Sequence, residues 1–444
     1  MANTYLTRTT GSPTNSYKCT FSAWFKKSKT GDNNKELISE YTDSNNRTYI
    51  GFNASDQFQF GSYQSSSWVN DFYFSRIFRD VSAFYNFVIA IDTTLSTASD
   101  RVKIYINGVL ETSVAGSPTY FSQNSSVALN SASKSLQIGA INGSNNFDGS
   151  MSHVHFIDGT AYDASYFGST DSTTGEWKIN TSPSVTYGNN GFFILKDGNT
   201  ITDSSPNSNN FSLGGGTLTK TEDSPSNVFA TMNPLDNYFG NAAFLYGNTS
   251  VDLPAANETY NTSTLGFASL NGGKYYCEVK VSDASDYTLI GIASRGPITT
   301  NETFNNNGTG NGYAYDSQAG IIRTGGGTIS GWSGSSYTTG DIIGVAVDTD
   351  SQKLYFSKNG VWQNSANPSS GTGSAAITSS PSSGTGIFLF AGGNRHNDNS
   401  VLEYNFGNGY FGTTAVSSAG TNASGIGIFE YDVPTGFTAL STKG

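Results

Sequence analysis

Apolar and polar residues alternate over many short segments of this chain. In YYCEVKV (275–281), every second residue from Tyr275 onward is apolar or aromatic, so these side chains would share one face of a strand. No long stretch shows the i, i+3, i+4 and i+7 spacing of apolar residues that is typical of an amphipathic helix. The pattern therefore predicts an all-β protein.

One combination of strand, tight turn and strand occurs twice. KIYINGVLET (103–112) and KLYFSKNGVWQN (353–364) each place an Asn-Gly pair between two strand-like runs. Asn-Gly is the pair that best tolerates the positive φ angles of a two-residue hairpin. The preceding segments, VIAIDTT (88–94) and VAVDTD (345–350), also agree with each other. The distance between the copies is far longer than the repeat of a solenoid or propeller, so we predict two related domains.

Composition agrees with many strands joined by tight turns. The chain has 444 residues, of which 51 are glycine, 13% are aromatic and only 13% are charged. Such a sequence suits strands with polar faces and frequent turns. The length exceeds what one hydrophobic core serves, whereas two β-sandwiches of about 200 residues each would nearly fill it.

Changes in this pattern divide the chain into four segments. The connector between the two sandwiches contains EDSPSNVFATMNPLD (222–236), whose prolines and lack of alternation predict an extended tether. Phe229 and Met232 in this tether are apolar, so we expect them to be buried. We predict a first sandwich at 1–215, the connector at 216–245, a second sandwich at 246–415 and a C-terminal tail at 416–444.

Charge excludes several classes of partner. The formal net charge is −11 and no run of lysine and arginine occurs, so the chain lacks the basic stripe that a nucleic-acid-binding protein needs. It also lacks a run of 18 apolar residues, so we expect that it does not insert into a membrane. No signal-like segment follows Met1, so we expect the protein to be made in a cytoplasm without export by the secretory signal route. Cys19 and Cys277 lie in alternating segments and are expected to be buried free thiols.

Residues with the patterns of catalytic or metal sites are few. A glycosidase needs two carboxyl groups on one face, yet Glu278, Glu403 and Glu430 each stand alone between apolar neighbours. His153 and His155 could share a face, but no cysteine or third histidine is near them in the sequence, so we interpret them as scaffold residues rather than zinc ligands. We therefore predict no enzyme activity, no catalytic residues and no metal site.

Both halves of the chain resemble known families. The second half resembles a SPRY domain through GDIIGVAVDTDSQKLYFSKNGVW (340–362), flanked by YTLIGIAS (287–294) and VLEYNFG (401–407). The first half resembles a laminin G-like, concanavalin A-type domain through TFSAWFKK (20–27) and FDGSMSHVHFIDGTAY (147–162). Both families pack two antiparallel sheets face to face. The resemblance implies two concanavalin A-like jelly-roll β-sandwiches in tandem.

The order of these pieces is similar to that in large virion proteins of tailed bacteriophages. There, a laminin G-like unit ending in segments like FIDG (156–159), TGEWK (174–178) and YGNNGF (187–192) is joined to a SPRY unit by a segment like DSPSNVFATMNPLD (223–236). This chain departs from that pattern in FRDVSAFYNFV (78–88). It has Phe84 and Asn86 at positions where the related proteins lead us to expect Trp and His. The resemblance implies a virion protein, either a capsid decoration or a tail-fibre or tip component.

Several further expectations follow from the resemblance. The partners would be other virion proteins and a polysaccharide or protein of the host surface, and the chain would form a homo-oligomer on the particle. No cofactor is expected. Laminin G-like domains in some cases hold Ca²⁺ through loop oxygens, and DNN (32–34), TDSNN (42–46) and Asp71 supply oxygens without a defined ligand set.

A large aromatic residue in a glycine- and serine-rich loop either packs back on the sheet or faces a ligand. Where such residues face a ligand they are the predicted contacts, because an aromatic face stacks on sugar CH groups while polar side chains bond hydroxyls. The candidates in the first domain are Trp68 and Tyr73. The candidates in the second domain are Trp332, Tyr313, Tyr337, Arg395 and His396. Two alternatives remain open: a purely structural virion protein whose loops bind neighbouring subunits, and a polysaccharide depolymerase.

Overall fold

The computed structural model describes most of the chain. The described ranges are 3–31, 35–196, 200–236, 242–255, 260–284, 287–294, 312–324, 327–377, 386–394 and 399–444. Within them the regular structure is almost entirely β-strand, with three short 3-10 helices at Ala98–Asp100, Ala128–Asn130 and Ala164–Tyr166. The all-β prediction is confirmed. No helix in these ranges combines the length and the apolar character needed to span a membrane.

The chain forms two compact units. The first comprises Met1–Lys220 with Ser224–Ser226, and the second comprises Thr221–Asp223 with Asn227–Gly444. The division falls inside the predicted connector, and most of that connector belongs to the second unit. Phe229 and Met232 are both buried there, as their apolar character predicted.

The first unit contains sixteen strands within the described ranges. They are β1 (Tyr5–Thr9), β2 (Lys18–Lys27), β3 (Lys35–Asp43), β4 (Asn46–Phe52), β5 (Gln57–Gln64), β6 (Ser67–Ile77), β7 (Tyr85–Asp92), β8 (Val102–Ile106), β9 (Val109–Leu110), β10 (Val114–Thr119), β11 (Ser135–Ile138), β12 (Gly149–Asp158), β13 (Gly168–Thr170), β14 (Trp177–Ile179), β15 (Phe192–Ile194) and β16 (Ser212–Gly215).

Two antiparallel sheets of the first unit enclose its core. The eight-stranded sheet has the order β10-β6-β5-β4-β3-β11-β1-β16, and the six-stranded sheet has the order β15-β12-β2-β7-β8-β9. Phenylalanines from both sheets meet between them: the ring centre of Phe87 on β7 lies 4.5 Å from that of Phe58 on β5 and 4.7 Å from that of Phe25 on β2. These rings belong to one continuous buried cluster, as a β-sandwich requires.

The second unit contains eighteen strands within the described ranges. They are β17 (Ala243–Leu245), β18 (Ser250–Leu253), β19 (Tyr260–Thr262), β20 (Phe267–Ala268), β21 (Lys274–Ala284), β22 (Thr288–Ala293), β23 (Gly312–Asp316), β24 (Ile322–Thr324), β25 (Gly327–Thr328), β26 (Ile342–Asp348), β27 (Lys353–Lys358), β28 (Val361–Trp362), β29 (Ala375–Ala376), β30 (Ile387–Asn394), β31 (Ser400–Asn405), β32 (Tyr410–Phe411), β33 (Thr414–Ala415) and β34 (Thr438–Ala439).

The second unit is also a sandwich, and one of its sheets repeats a sheet of the first. Its larger sheet contains the path β18-β31-β21-β26-β27-β28, and its smaller sheet contains the path β19-β30-β22-β23-β24-β25. In the former path, β31-β21-β26-β27-β28 matches β12-β2-β7-β8-β9 strand for strand, with the two Asn-Gly hairpins in equivalent places. The edge strands differ, because β15 follows β12 in the chain whereas β18 precedes β21. The repeated sequence therefore belongs to a scaffold that the chain uses twice.

The two Asn-Gly turns are built in the same way. Asn107 and Asn359 have φ angles of 47° and 49°, and their glycines have φ angles of 80° and 79°. The Asn107 Oδ1 accepts a hydrogen bond from the Asn86 N–H at 2.8 Å, and the Asn359 Oδ1 accepts one from the Ile342 N–H at 2.8 Å. Each asparagine thus ties its turn to the preceding strand, which explains why this residue pair recurs.

In both units a later segment covers the outside of this repeated sheet. In the first unit, residues between Tyr162 and Tyr187 pack on Val88 and Ile157, which face away from the core. In the second unit, residues of the C-terminal segment pack on the outer side of β21, β26 and β27, and these residues are Phe429, Val433, Phe437 and Ala439. The segment predicted as a tail, 416–444, is therefore part of the second sandwich.

Glu278 holds this C-terminal segment against the sheet. The buried carboxylate on β21 accepts hydrogen bonds from the backbone N–H groups of Glu430 and Tyr431, both at 2.8 Å. Its other partners are the Tyr276 hydroxyl at 3.1 Å and the Asn405 side-chain amide at 3.2 Å. Burial raises the pKa of Glu278 to about 7, although these hydrogen bonds act in the opposite direction. The isolated acidic residue of the sequence thus has a structural role.

Replacing Gly108 by alanine tests the covering segment of the first unit. A Cβ at Gly108 would overlap the ring of Trp177, whereas a Cβ at Gly175 would meet no atom within 4 Å. Both glycines have similar positive φ angles, 80° and 75°. We expect Gly175→Ala to lower the free energy of unfolding by about 1–2 kcal/mol, and Gly108→Ala by about 1–3 kcal/mol more. Urea denaturation measures both, and equal losses would contradict the packing of Trp177 on this turn.

Candidate functional site

The outer side of the eight-stranded sheet carries a group of aromatic and polar side chains. On β4, β5 and β6 the residues that face the core are mostly apolar, as with Ile50, Phe60 and Phe72. Because side chains alternate along a strand, the residues between them face outward. Apart from the buried glycines Gly51 and Gly61, these residues are partly buried or exposed.

Strand register aligns these outward residues into three rows across the sheet. The first row runs from β3 to β6, and the other two continue to β10. The rows are Tyr41, Arg47, Tyr63 and Trp68; Ser39, Tyr49, Gly61, Asp71 and Thr119; and Glu36, Gly51, Gln59, Tyr73 and Ala115. We call them the aromatic row, the middle row and the acid row, and together the platform face.

Trp68 is the most exposed aromatic side chain of the platform face, with 37% of its surface accessible. Its ring centre lies 5.0 Å from that of Tyr63 and 6.3 Å from that of Tyr49. Gly61 makes this arrangement possible, because a Cβ at that position would lie 2.6 Å from the Tyr49 ring and 3.0 Å from the Trp68 ring. The glycine therefore allows the aromatic rings to lie over the sheet.

Arg47 stacks on the same aromatic group. Its guanidinium carbon lies 4.8 Å from the ring centre of Tyr63 and 5.9 Å from that of Trp68, which is within the range of a cation–π interaction. One guanidinium nitrogen also donates to the Ser44 carbonyl oxygen in the β3–β4 turn. These contacts fix the plane of the guanidinium group beside the exposed indole.

Polar groups lie next to the aromatic rings in the middle and acid rows. The Gln59 Nε2 donates to the Tyr49 hydroxyl and to the Asp71 Oδ1, both at 3.3 Å. Burial raises the pKa of the Tyr49 hydroxyl, and the nearby charges of Glu36 and Asp71 add to this effect. Tyr49 therefore stays a neutral donor and acceptor. The platform face thus combines aromatic surface with hydroxyl, amide and carboxylate groups.

Glu36 and Asp71 lie on this one face, although they are far apart in the sequence, on β3 and β6. Glu36 is only 2% exposed, and among the described residues its Oε2 has no hydrogen-bond partner. Burial raises the pKa of the Glu36 carboxyl to about 8, against the effect of a hydrogen bond with Asn145. The Asp71 side chain is only partly buried. Of these two acids, Asp71 is the one that a bound molecule could reach.

The aromatic residues considered as ligand contacts in the second unit are buried, which is the packing alternative that the sequence left open. Trp332, Tyr313 and Tyr337 are 4–5% exposed and belong to the core cluster of that unit. The Tyr337 hydroxyl donates to the carbonyl oxygens of Thr288 and Tyr315, at 2.9 and 2.8 Å. These rings fill the sandwich instead of presenting a face to a sugar. Arg395 and His396 lie outside the described residues.

The predicted contacts in the first unit lie together on the platform face. Trp68 is in the aromatic row and Tyr73 is in the acid row, on the same strand, β6. Sequence reasoning missed Arg47, Tyr49 and Gln59. A signal for them exists in NRTYIGF (46–52) and QFQFGSY (57–63), where polar and tyrosine residues alternate with buried apolar ones around a glycine.

The histidines and cysteines match the scaffold interpretation. The His155 ring is buried, stacks on Phe193 at 3.8 Å and bonds the Tyr187 hydroxyl through Nδ1 at 2.9 Å. Burial lowers its pKa well below the usual value. Cys19 and Cys277 are buried free thiols, as predicted. In the described parts of the chain, no three His, Cys, Asp or Glu side chains cluster as metal ligands would.

The residues considered for calcium are engaged with the protein or fall outside the described ranges. The Asp43 carboxylate accepts from the Asn45 N–H at 2.7 Å and from the Asn46 amide at 3.0 Å, so it closes its own turn. Asp71 bonds Gln59 as described above. Residues 32–34 lie outside the described residues, so the calcium expectation stays untested.

One known family model matches part of the first unit. Residues 1–165 match the Laminin_G_3 model, described as the concanavalin A-like lectin/glucanases superfamily. The match agrees with the sandwich observed there and with the resemblance found in the sequence. The superfamily name covers both binding proteins and enzymes. No curated protein sequence matches the chain.

Three solved structures are similar to parts of the chain. The SPRY domain of human HERC1 has 16% identity and a TM-score of 0.30, covering 39% of this chain and 96% of that domain. The native heptameric SAP-like pentraxin from Limulus polyphemus has 13% identity and a TM-score of 0.27, covering 36% of this chain and 71% of its own. The third structure is domain 4 of AbnA, an extracellular arabinanase from Geobacillus stearothermophilus, in complex with arabinotriose. It has 19% identity and a TM-score of 0.24, and the match covers 33% of this chain and 64% of that chain.

Proposed function

We propose that the first unit binds carbohydrate through the platform face and does not cleave it. The observation that carries this proposal is the exposed indole of Trp68, which lies 5.0 Å from the Tyr63 ring and beside Arg47, with Asp71 and Gln59 in the other two rows of the same face. An aromatic ring contributes apolar surface for the CH face of a sugar, and neighbouring polar groups bond its hydroxyls.

The shape of the platform face suits a polymer. Neighbouring strands are about 4.8 Å apart, so a row that crosses from β3 to β6 is about 14 Å long. The rows lie on the side of a sheet, and the described residues place aromatic and polar side chains at successive strands along them. A sugar chain lying across the strands could therefore contact several of these side chains in succession.

Binding without cleavage is favoured by the burial of Glu36. A two-carboxylate glycosidase needs both groups in contact with the sugar, one as acid and one as base or nucleophile. Glu36 has the raised pKa of a general acid, but its carboxyl is covered. The platform face therefore offers a single reachable carboxylate, that of Asp71. Shortening of a polysaccharide by the purified protein would instead indicate a depolymerase.

The biological setting that we propose comes from the sequence resemblance. We propose a bacteriophage virion protein, a capsid decoration or a tail-fibre component, that presents the platform face to a host-surface glycan. Made in the host cytoplasm, it would join other virion proteins as a homo-oligomer. The alternative is a structural subunit that binds its neighbours alone. Two results would support the glycan-binding virion protein over the purely structural subunit. Peptides of this chain would be found in purified particles, and intact particles carrying Trp68→Ala would no longer adsorb to the host.

Replacing Trp68 by alanine tests the proposed site. We expect at least a tenfold loss of affinity for any polysaccharide that the protein binds, because tryptophan is among the residues whose removal costs a binding surface most energy. Affinity electrophoresis in gels containing each polymer measures this, and size-exclusion chromatography of the polymer measures its length. Tyr17→Ala is the control, since Tyr17 is similarly exposed, at 39%, outside the platform face. Equal affinities for both variants would reject the site.

A further inference from the structure

Among the described residues, Arg47 has no carboxylate partner, whereas three other arginines have one. The chain has 34 acidic against 23 basic residues, so acidic groups outnumber basic ones. Arg76, Arg79 and Arg323 each form an ion pair, with Glu111, Asp56 and Asp316 respectively. Within the described residues, Arg47 has only the Ser44 carbonyl oxygen as a hydrogen-bond acceptor. Its charge is therefore not balanced by a neighbouring carboxylate.

The acids near Arg47 have other partners. Asp43 bonds the Asn45 N–H and the Asn46 amide of its own turn. Glu40 faces the core side of β3, accepts from the Thr42 hydroxyl at 2.7 Å and lies 3.5 Å from the Lys134 amine. Asp71 accepts from Gln59 in the middle row. None of these acids is within ion-pair distance of the Arg47 guanidinium group.

The position of Arg47 suits a carboxylate that arrives with a stacked sugar. A guanidinium group stacked on an aromatic ring keeps its N–H groups in its own plane, directed away from that ring. In this plane it can form two parallel hydrogen bonds with a carboxylate. Its guanidinium carbon lies 4.8 Å from the centre of the Tyr63 ring and 5.9 Å from that of Trp68, the ring proposed to hold the sugar. One sugar residue stacked on Trp68 could therefore also bond the Arg47 guanidinium group.

We infer that the platform face is selective for acidic sugars, and that Arg47 binds the carboxylate of a uronate residue stacked on Trp68. This inference rests on the proposed carbohydrate binding and names the class of sugar. Asp71 sets the orientation, because it lies in the next row, about 7 Å along the strands. Its charge repels a second carboxylate, so the acidic group lies at the aromatic row and hydroxyls lie at the middle row.

A panel of matched polymers tests the inference. Alginate, polygalacturonate and hyaluronan each contain uronate, and each is compared with its carboxyl-reduced, neutral counterpart by affinity electrophoresis. We expect the wild type to bind at least one uronate polymer about tenfold or more tightly than its neutral counterpart, the size of a good charged hydrogen-bonded contact. The preference should decrease from 0.05 to 0.5 M salt, since salt screens exposed charges.

Variants of Arg47 separate the charge from the stacking. Arg47→Gln should lose the preference for uronate over the matched neutral polymer. Arg47→Lys should keep part of this preference, because it keeps the charge without the planar guanidinium group. Arg76→Gln removes the same charge from a side chain that is 52% exposed and paired with Glu111, outside the three rows. It should behave as the wild type. Thermal unfolding confirms that each variant is folded.

The outcomes distinguish this inference from the proposed function. Polymer binding that depends on Trp68 but shows no uronate preference, or a preference that Arg47→Gln leaves intact, overturns the inference and leaves carbohydrate binding standing. An equal loss of preference in Arg76→Gln also overturns it, because net charge would then explain the effect. Absence of binding to every polymer of both kinds overturns the proposed function together with the inference.

Discussion

Replacing Trp332 by alanine is expected to lower the free energy of unfolding of the second unit by about 3–5 kcal/mol. The indole is only 5% exposed, and its ring centre lies 5.3 Å from that of Tyr315 and 6.0 Å from that of Phe356. Alanine would leave a cavity between the sheets, and close-packed neighbours relax only partly into such a space. Polysaccharide binding by the folded protein should be unchanged.

Two further variants make this result specific. Trp332→Phe should cost less than Trp332→Ala, because it keeps much of the ring and removes an indole N–H that has no partner among the described residues. Trp68→Ala should show the reverse behaviour, with stability nearly unchanged and binding lost. Differential scanning calorimetry gives the stability and affinity electrophoresis gives the binding. A stable Trp332→Ala protein that no longer bound polymer would restore Trp332 as a ligand contact.

Raising the pH from about 4.5 to about 8 is expected to destabilise the first unit through Glu36. The pKa of this carboxyl is about 8 in the folded protein and near its ordinary value of 4.5 in the unfolded chain. Between these values the folded state keeps a proton that the unfolded state has lost, so the free energy of unfolding falls as the pH rises. The decrease is at most about 4 kcal/mol, and it ends once the pH passes the folded pKa.

Glu36→Gln is the matched control, since it has nearly the same shape and does not titrate. Its stability should depend less on pH, with a residual slope because burial also raises the pKa of Glu40. Replacing both tryptophans of the second unit, Trp332 and Trp362, by phenylalanine leaves three in the first unit as fluorescent reporters. Urea denaturation at pH 5, 6, 7 and 8 then follows the first unit. Identical pH slopes with and without the Glu36→Gln substitution would exclude Glu36 as the cause.

Local patterns in the sequence were sufficient for the fold class and the repeated hairpins. Alternation in KYYCEVKV (274–281) predicts a strand, and the structure places Cys277 and Val279 in the core with Glu278 on the opposite face. Asn107 and Asn359 take the positive φ angles that their turns require. These features depend on neighbouring residues, whose geometry is fixed by backbone sterics and a two-residue period.

Only the tertiary structure decided which aromatic residues face solvent. Trp332 and Trp68 both stand among serines and glycines in the sequence, yet one is in a core and the other is exposed. The reason is that burial depends on which distant segments pack over a residue. The sequence around Trp332 contains no sign of the Tyr315 and Phe356 rings that enclose it.

The platform face likewise arises from residues that the sequence keeps apart. Arg47, Tyr63 and Trp68 become neighbours because three strands pair in one register, and Glu36 and Asp71 share a face across four. Cross-strand neighbours have no fixed spacing in a sequence, since the turns between strands vary in length. The sequence by itself thus determined the strands, the turns and the use of one sandwich plan twice. The pairing of strands determined which side chains form a site, because only that pairing brings their atoms together.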